Sequence, residues 1–144
     1  MMIHHAGLIA LWDAGVWRGA LIEGEAGAGK SDLMLRTIAS GWTLVADDRV
    51  VLWTSGGRLY GRAPDSLAGL MEIRGLDIVP TPCRWFAPIT LVARCVAAAA
   101  VERMPEPQTV SLLNQAIPSI ALVALEPSAP AKLARAVSHL GLRA

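Results

Sequence analysis

Lysine is nearly absent from this chain of 144 residues: Lys30 and Lys132 are the only two, and arginine carries most of the positive charge. Charge of one sign never accumulates either. Thirteen basic and 12 acidic side chains leave a formal net charge of +1, with no basic block. That excludes an extended nucleic-acid-binding face. The two cysteines, Cys83 and Cys95, lack metal-ligand spacing and are expected to be reduced, Cys95 in the core. No apolar run reaches the ~18 residues of a membrane span. The most apolar stretch, Pro88 to Val101, is broken by Arg94. The N-terminal MMIHHAGLIALWD has no basic n-region and no small-residue cleavage site, so neither a secretion signal nor a membrane partner is expected, and the expected location is the cytosol. Repeats and low-complexity tracts are missing as well.

What is present is enough apolar material for one well-packed domain, 53% of the residues, and one sharply defined motif. GEAGAGKSD, Gly24 to Asp32, matches G-x-x-x-x-G-K-[ST] in full. Successive backbone N–H groups of Gly24, Glu25, Ala26, Gly27, Ala28 and Gly29 form an anion nest, and the helix that follows adds its positive end. Lys30 is expected to reach the β- and γ-phosphates and Ser31 to bind Mg²⁺ through its hydroxyl. A chain that otherwise avoids lysine places one where a compact ammonium is the chemical requirement.

The hydrophobic patterning surrounds this loop with an α/β fold. Gly7 to Trp12 and Val16 to Glu23 read as a strand pair, the second feeding the loop. Lys30 to Ser40 reads as a helix with Leu33, Met34, Ile38 and Ala39 on one face, stopped at Gly41. Trp42 to Ala46 reads as a strand, and Arg49 to Trp53 with Arg58 to Gly61 as a hairpin about a Ser-Gly-Gly turn. A short helix is expected over Asp65 to Leu70, a mixed segment over Met71 to Val79, and strands over Ile89 to Ala97 and Ile120 to Leu125. Glu126 to Ala131 reads as a connector before an amphipathic helix, Ala131 to Leu142, with Leu133, Val137 and Leu140 inward.

Two further segments carry ionisable groups. Asp47 and Asp48 close the Trp42 strand. On a strand, adjacent carboxylates face opposite ways, so one suits Mg²⁺ and the other suits accepting a proton from an incoming hydroxyl. Glu72, Arg74 and Gly75 lie together in EIRGL. From the residues alone this is either a further Mg²⁺ ligand with a phosphate-neutralising arginine or a surface ion pair beside a turn glycine.

Taken in order, GEAGAGKSD, LVADDRVVL and LMEIRGL resemble the catalytic domain of the HPr kinase/phosphorylase family, in the short form found in some proteobacteria. The resemblance is densest from His5 to Val79. It implies a phosphate-loop sheet related to phosphoenolpyruvate carboxykinase, spanning the whole chain as one domain. It also implies an ATP- and Mg²⁺-dependent kinase acting on a serine of the phosphocarrier protein HPr, reversible with inorganic phosphate in many members. Residue by residue, His5 in HHAGLIAL matches the family's catalytic histidine, with His4 as its competitor. Lys30 and Ser31 match the loop lysine and Mg²⁺ hydroxyl. Asp48 matches the proton acceptor, Asp47 its neighbour near the metal, Glu72 a second Mg²⁺ ligand, and Arg103 in VERMPE a downstream catalytic arginine.

The sequence departs from the family in three places. WDAGVWRG lengthens the path from His5 to Gly24 and is expected to be an extended turn. Asp77 stands where the signature carries glycine. The family's Pro-Gly-Arg-Asn segment, tied to the phosphorylase direction, has no counterpart in Pro118 to Pro130, which lacks arginine; Lys132 is the nearest substitute. The kinase direction is therefore the expectation. Rival readings are a small-molecule kinase or NTPase, and a nucleotide-sensing module docked on a regulator or sensor kinase. The family's long members form hexamers, so a homo-oligomer is compatible with the resemblance.

Overall fold

The computed structural model describes residues 1–140. Asp13 pairs with Val16 across a two-residue turn, Ala14–Gly15, in which both residues have positive φ, 49° and 81°. That geometry matches the twist of the strands it joins. The hairpin it closes, β2 (Gly7–Asp13) with β3 (Val16–Glu23), stays in register from Gly7 opposite Ile22 to the turn. WDAGVWRG is therefore not the extended turn expected from the sequence: all of it but Ala14 and Gly15 is paired strand. Trp12 and Trp17 meet edge to face across it, 5.4 Å between centroids.

Ahead of this hairpin lies β1 (Met2–His5), which the sequence pattern did not announce. It pairs antiparallel with β5 (Arg49–Ser55), which forms the expected hairpin with β6 (Arg58–Arg62) through Gly56 and Gly57. β1 and β2 are nearly one strand, broken only at Ala6, whose N–H bonds the carbonyl of Asp48 at 3.1 Å.

β4 (Thr43–Ala46) runs antiparallel to β2, and therefore in the same direction as β3. β3 pairs parallel with β9 (Ala87–Cys95), and β9 pairs parallel with β11 (Gln115–Leu122). The spatial order β4-β2-β3-β9-β11 thus brings four carboxyl ends, Ala46, Glu23, Cys95 and Leu122, to one end of the sheet. In open α/β sheets that end is where ligands bind.

Both faces of the sheet are covered. α1 (Lys30–Ala39) buries Leu33 and Met34 on one face, and α2 (Ala129–His139) buries Leu133 and Val137 beside it. The Met34 side chain of α1 packs directly over Gly7, where a Cβ would fall 2.1 Å from its sulfur. The other face buries Leu8, Leu21, Val50, Leu52 and Ile89. Ile89 and Leu91 face opposite cores, although two residues apart on a strand normally share a face. The register against β3 slips between Gly19 and Ala20, so Thr90 is an extra residue that reverses the faces of β9.

Several boundaries differ from the sequence expectation. The Asp65 helix is one 3-10 turn, Asp65–Leu67. The mixed segment is a separate hairpin, β7 (Leu70–Ile73) with β8 (Asp77–Pro80). The last strand starts earlier because it pairs with an unforeseen β10 (Gln108–Leu112), and it ends at Leu122, opposite Cys95 at the end of β9. α2 begins at Ala129 with Pro130 in its first turn, where a missing N–H costs nothing. Leu142, the expected end of that helix, lies outside the described residues.

Candidate active site

β3 delivers Glu23 to the glycine loop, and α1 starts at Lys30, as the motif requires. Gly29 has φ 91° and ψ 17°, a left-handed conformation that glycine adopts without steric cost. Its carbonyl accepts the first helical bond from Leu33 N–H at 2.9 Å, and Ala28 N–H closes a turn onto Glu25 O at 3.1 Å. No side chain caps this helix start. The amides of its first turn stay available to an anion, the arrangement that holds phosphate in such loops.

The loop rests on the end of β9. A Cβ on Gly24 would meet Cys95 Cβ and O at 3.0 Å. Burial pushes the Cys95 thiol pKa up, and the nearby Lys30 charge pulls it the other way. Among the described residues Lys30 makes no salt bridge, whereas Lys132 is tied to Glu126 at 2.7 Å. The lysine in the loop remains free for phosphate, and the other one is committed elsewhere.

The acidic pair follows β4, which lies beyond β2 from the loop-bearing β3 and runs in the same direction. β4 stops at Ala46, Arg49 N–H bonds Asp47 O at 2.8 Å, and Asp48 turns the chain with φ 69°. The two carboxylates do diverge, but through this left-handed turn and not through strand alternation. Asp47 Oδ2 accepts the backbone N–H of Glu72 at 3.0 Å, joining the β7–β8 hairpin to the site. Burial raises the Asp47 pKa; the Glu72 N–H opposes this, and the charges of Asp48 and Glu72 add to the rise. Asp48 stays exposed.

The register of β1 against β5 separates the two histidines. His5 lies opposite Arg49 and donates from Nδ1 to the Asp48 carbonyl at 2.9 Å, with the Asp48 carboxylate 3.7 Å away. His4 faces the other way and bonds the carboxylate of Glu23, the last residue before the loop. Three distant segments, at His5, Asp47–Asp48 and Glu72, therefore converge beside one another.

The remaining candidates are less engaged. Ser31 is exposed in the first turn of α1. Arg74 is exposed in the turn of the β7–β8 hairpin, and Asp77 bonds its neighbour's amide, Ile78 N–H, at 2.7 Å. Arg103 is exposed between Ala98–Ala100 and β10, and no salt bridge among the described residues ties it to the loop. Ser31, Asp47 and Glu72 offer only oxygen donors, the type Mg²⁺ prefers. Among the described residues no three His, Cys, Asp or Glu side chains form a metal cage, and Mg²⁺ in phosphate-binding sites is commonly held by one or two carboxylates with phosphate oxygens and water completing its shell. Sequence reasoning missed Arg36. From α1 it donates to the carbonyls of Ala124 and, at 3.2 Å, Glu126, while pairing with Asp32 at 2.8 Å. Its spacing from Asp32, one helical turn, was the available signal.

Comparison with known proteins identifies relatives of the chain. The family model described as "HPr Serine kinase C-terminal domain" matches residues 1–84. The HPr kinase/phosphorylase of Clostridium tetani is 45% identical over 64 residues, 44% of this chain and 21% of that protein. The HPr kinase/phosphorylase of Mycoplasma genitalium is 39% identical over 75 residues, 52% of this chain and 23% of that protein. The matched stretch is thus a minor part of these relatives. Over nearly the whole fold, the structure of "the Hpr(Ser) kinase/phosphatase from Coxiella burnetii" superposes with a TM-score of 0.83 at 24% identity, covering 99% of this chain and 92% of that one. The chain belongs to the HPr serine kinase C-terminal domain family.

Proposed function

We propose that this family member is an ATP-dependent protein serine kinase, one catalytic domain over residues 1–144, whose acceptor is an HPr-type phosphocarrier protein. The observation that carries the reading is the contact of His5 with Asp48 after β4, at the same end of the sheet as the phosphate loop. A simple NTP-binding module needs the loop; it does not need a histidine–aspartate pair beside it.

In this reading the backbone of Gly24 to Gly29 and the Lys30 ammonium hold the phosphates and balance the charge that grows on the transferred group. Mg²⁺, bound through Ser31, Asp47 and Glu72, would neutralise phosphate oxygens. Asp48 orients the acceptor hydroxyl and takes its proton. His5 holds the Asp48 backbone in its left-handed turn and stands near enough to stabilise the carboxylate. Most of the rate comes from positioning and charge, because a loose phosphoryl transition state asks little covalent help of the protein. The kinase direction is favoured over phosphorolysis: Pro118 to Pro130 has no arginine, and Lys132 is held by Glu126.

The test combines the purified chain, Mg²⁺, labelled ATP and the HPr-type protein of the same organism. Label on one serine of the carrier is expected, absent when that serine is alanine and absent with Lys30→Ala. ATP binding without any label on the carrier would reject the acceptor and favour a sensing module.

A further inference from the structure

The strand order gives the phosphate loop two unlike flanks. On one side, beyond β2, β4 ends in Asp47 and Asp48. On the other, beyond β9, β11 ends at Leu122 and passes into the segment 123–128. That segment is tightly held. Arg36 donates to the carbonyls of Ala124 and Glu126, and Lys132 pairs with the Glu126 side chain. Arg36, Glu126 and Lys132 are thereby engaged in holding this segment.

Between those two anchored carbonyls stands Leu125, 64% exposed. Several large apolar side chains of this chain are exposed, and Leu125 is one that lies on a pinned loop. Yet it touches the phosphate loop: a Cβ on Gly29 would come 2.9 Å from Leu125 Cδ2 and 3.3 Å from Ala124 Cβ. The leucine therefore forms the rim of the phosphate cradle at the start of α1.

We propose that Leu125, backed by Ala124, is the apolar wall against which the nucleoside of a bound nucleotide rests. The inference builds on the proposed function, in which a nucleoside triphosphate occupies Gly24 to Ser31. Its terminal phosphate must point to the acceptor and hence to the Asp48 flank. The nucleoside then leaves by the opposite flank, where the apolar Leu125 side chain is already exposed beside the loop. Covering that surface with the weakly polar face of a nucleoside removes it from water.

Binding of Mg²⁺–ATP and of Mg²⁺–tripolyphosphate, which has phosphates and no nucleoside, tests this on the full chain. Leu125→Ser is expected to weaken ATP binding by about 3- to 10-fold, the effect of losing partial leucine burial. Tripolyphosphate affinity should not change, and Leu125→Met should restore ATP binding. Equal loss for both ligands would make Leu125 a mere prop of the loop and overturn the proposal, as would no loss for either. Failure of the unaltered protein to bind either ligand would instead overturn the nucleotide reading of the loop, and this inference with it.

Discussion

His5 Nδ1 donates a hydrogen bond to the backbone carbonyl of Asp48 at 2.9 Å and lies 3.7 Å from the same residue's carboxylate. One histidine thus contacts both the main chain and the functional group of the residue to which proton acceptance is assigned. Replacing it by alanine should lower the rate of phosphoryl transfer by about 10-fold, below the usual range for direct acid–base groups because His5 acts beside the base. ATP affinity should stay near that of the unaltered protein. Parallel titrations and single-turnover rates check this; a large loss of ATP affinity would place His5 in nucleotide binding.

Asp47 is strained electrostatically. Burial raises its pKa, as do the charges of Asp48 and Glu72, with only the Glu72 amide opposing. A carboxyl whose folded pKa exceeds its unfolded value binds its proton more tightly in the folded state. Stability is then greatest below the unfolded pKa and is lost as pH rises through the folded one. Asp47→Asn keeps an oxygen for the Glu72 N–H and removes the charge. Without Mg²⁺ the variant should therefore melt at a higher temperature than the unaltered protein at pH 7, with the gap closing toward pH 4 and below, where a carboxyl of ordinary pKa (about 3.9) is also protonated. Thermal melts across that range decide it. A variant less stable than the parent at pH 7 contradicts the assignment.

Gly29 and Gly27 both have positive φ, 91° and 83°, but differ in their surroundings. Alanine at either carries backbone strain of ~1–2 kcal/mol. At Gly29 the new methyl also meets Leu125, whereas nothing lies within 4 Å at Gly27. Gly29→Ala should therefore reduce both melting temperature and ATP affinity more than Gly27→Ala does, measured side by side.

Arg36→Ala removes two donors from the carbonyls of Ala124 and Glu126 and one from Asp32. The expected cost is about 1–3 kcal/mol, the usual range for losing charge-assisted hydrogen bonds. Hydrogen exchange should show faster exchange confined to the segment 123–128 and the first turns of α1. Unchanged exchange there would mean the loop is held by other contacts.

The phosphate loop was legible because its chemistry is local: glycines, a lysine and a hydroxyl adjacent in sequence build it almost alone. The β2–β3 strand pair and most of the α1 face followed from apolar spacing; on α1 it is Thr37 that is buried, while the expected Ala39 is exposed. What escaped was long-range. β1 is four residues long and mostly exposed, so nothing in MIHH marks it as a strand until β5 pairs with it. That pairing alone assigns His5 to Asp48 and His4 to Glu23, which two adjacent histidines cannot reveal by themselves. Leu125 read as the end of a strand, since IALVAL is continuously apolar; only the pairing of Leu122 with Cys95 shows where the strand stops and the rim begins. The Thr90 bulge left no trace in the pattern, because Ile89 and Leu91 look like ordinary same-face neighbours.

The division of labour between Lys30 and Asp48 is the central claim, and Asp48→Asn tests it with little structural disturbance. Asparagine tolerates the left-handed φ of 69° and leaves the backbone carbonyl that His5 and Ala6 share. ATP affinity and single-turnover phosphorylation of the HPr-type carrier should be measured for Asp48→Asn beside Lys30→Ala. The account predicts that Asp48→Asn binds ATP normally and transfers phosphate about 100-fold or more slowly, while Lys30→Ala loses transfer through the phosphate site itself. Transfer at the parent rate by Asp48→Asn, or an equal loss of ATP binding in both variants, would contradict it.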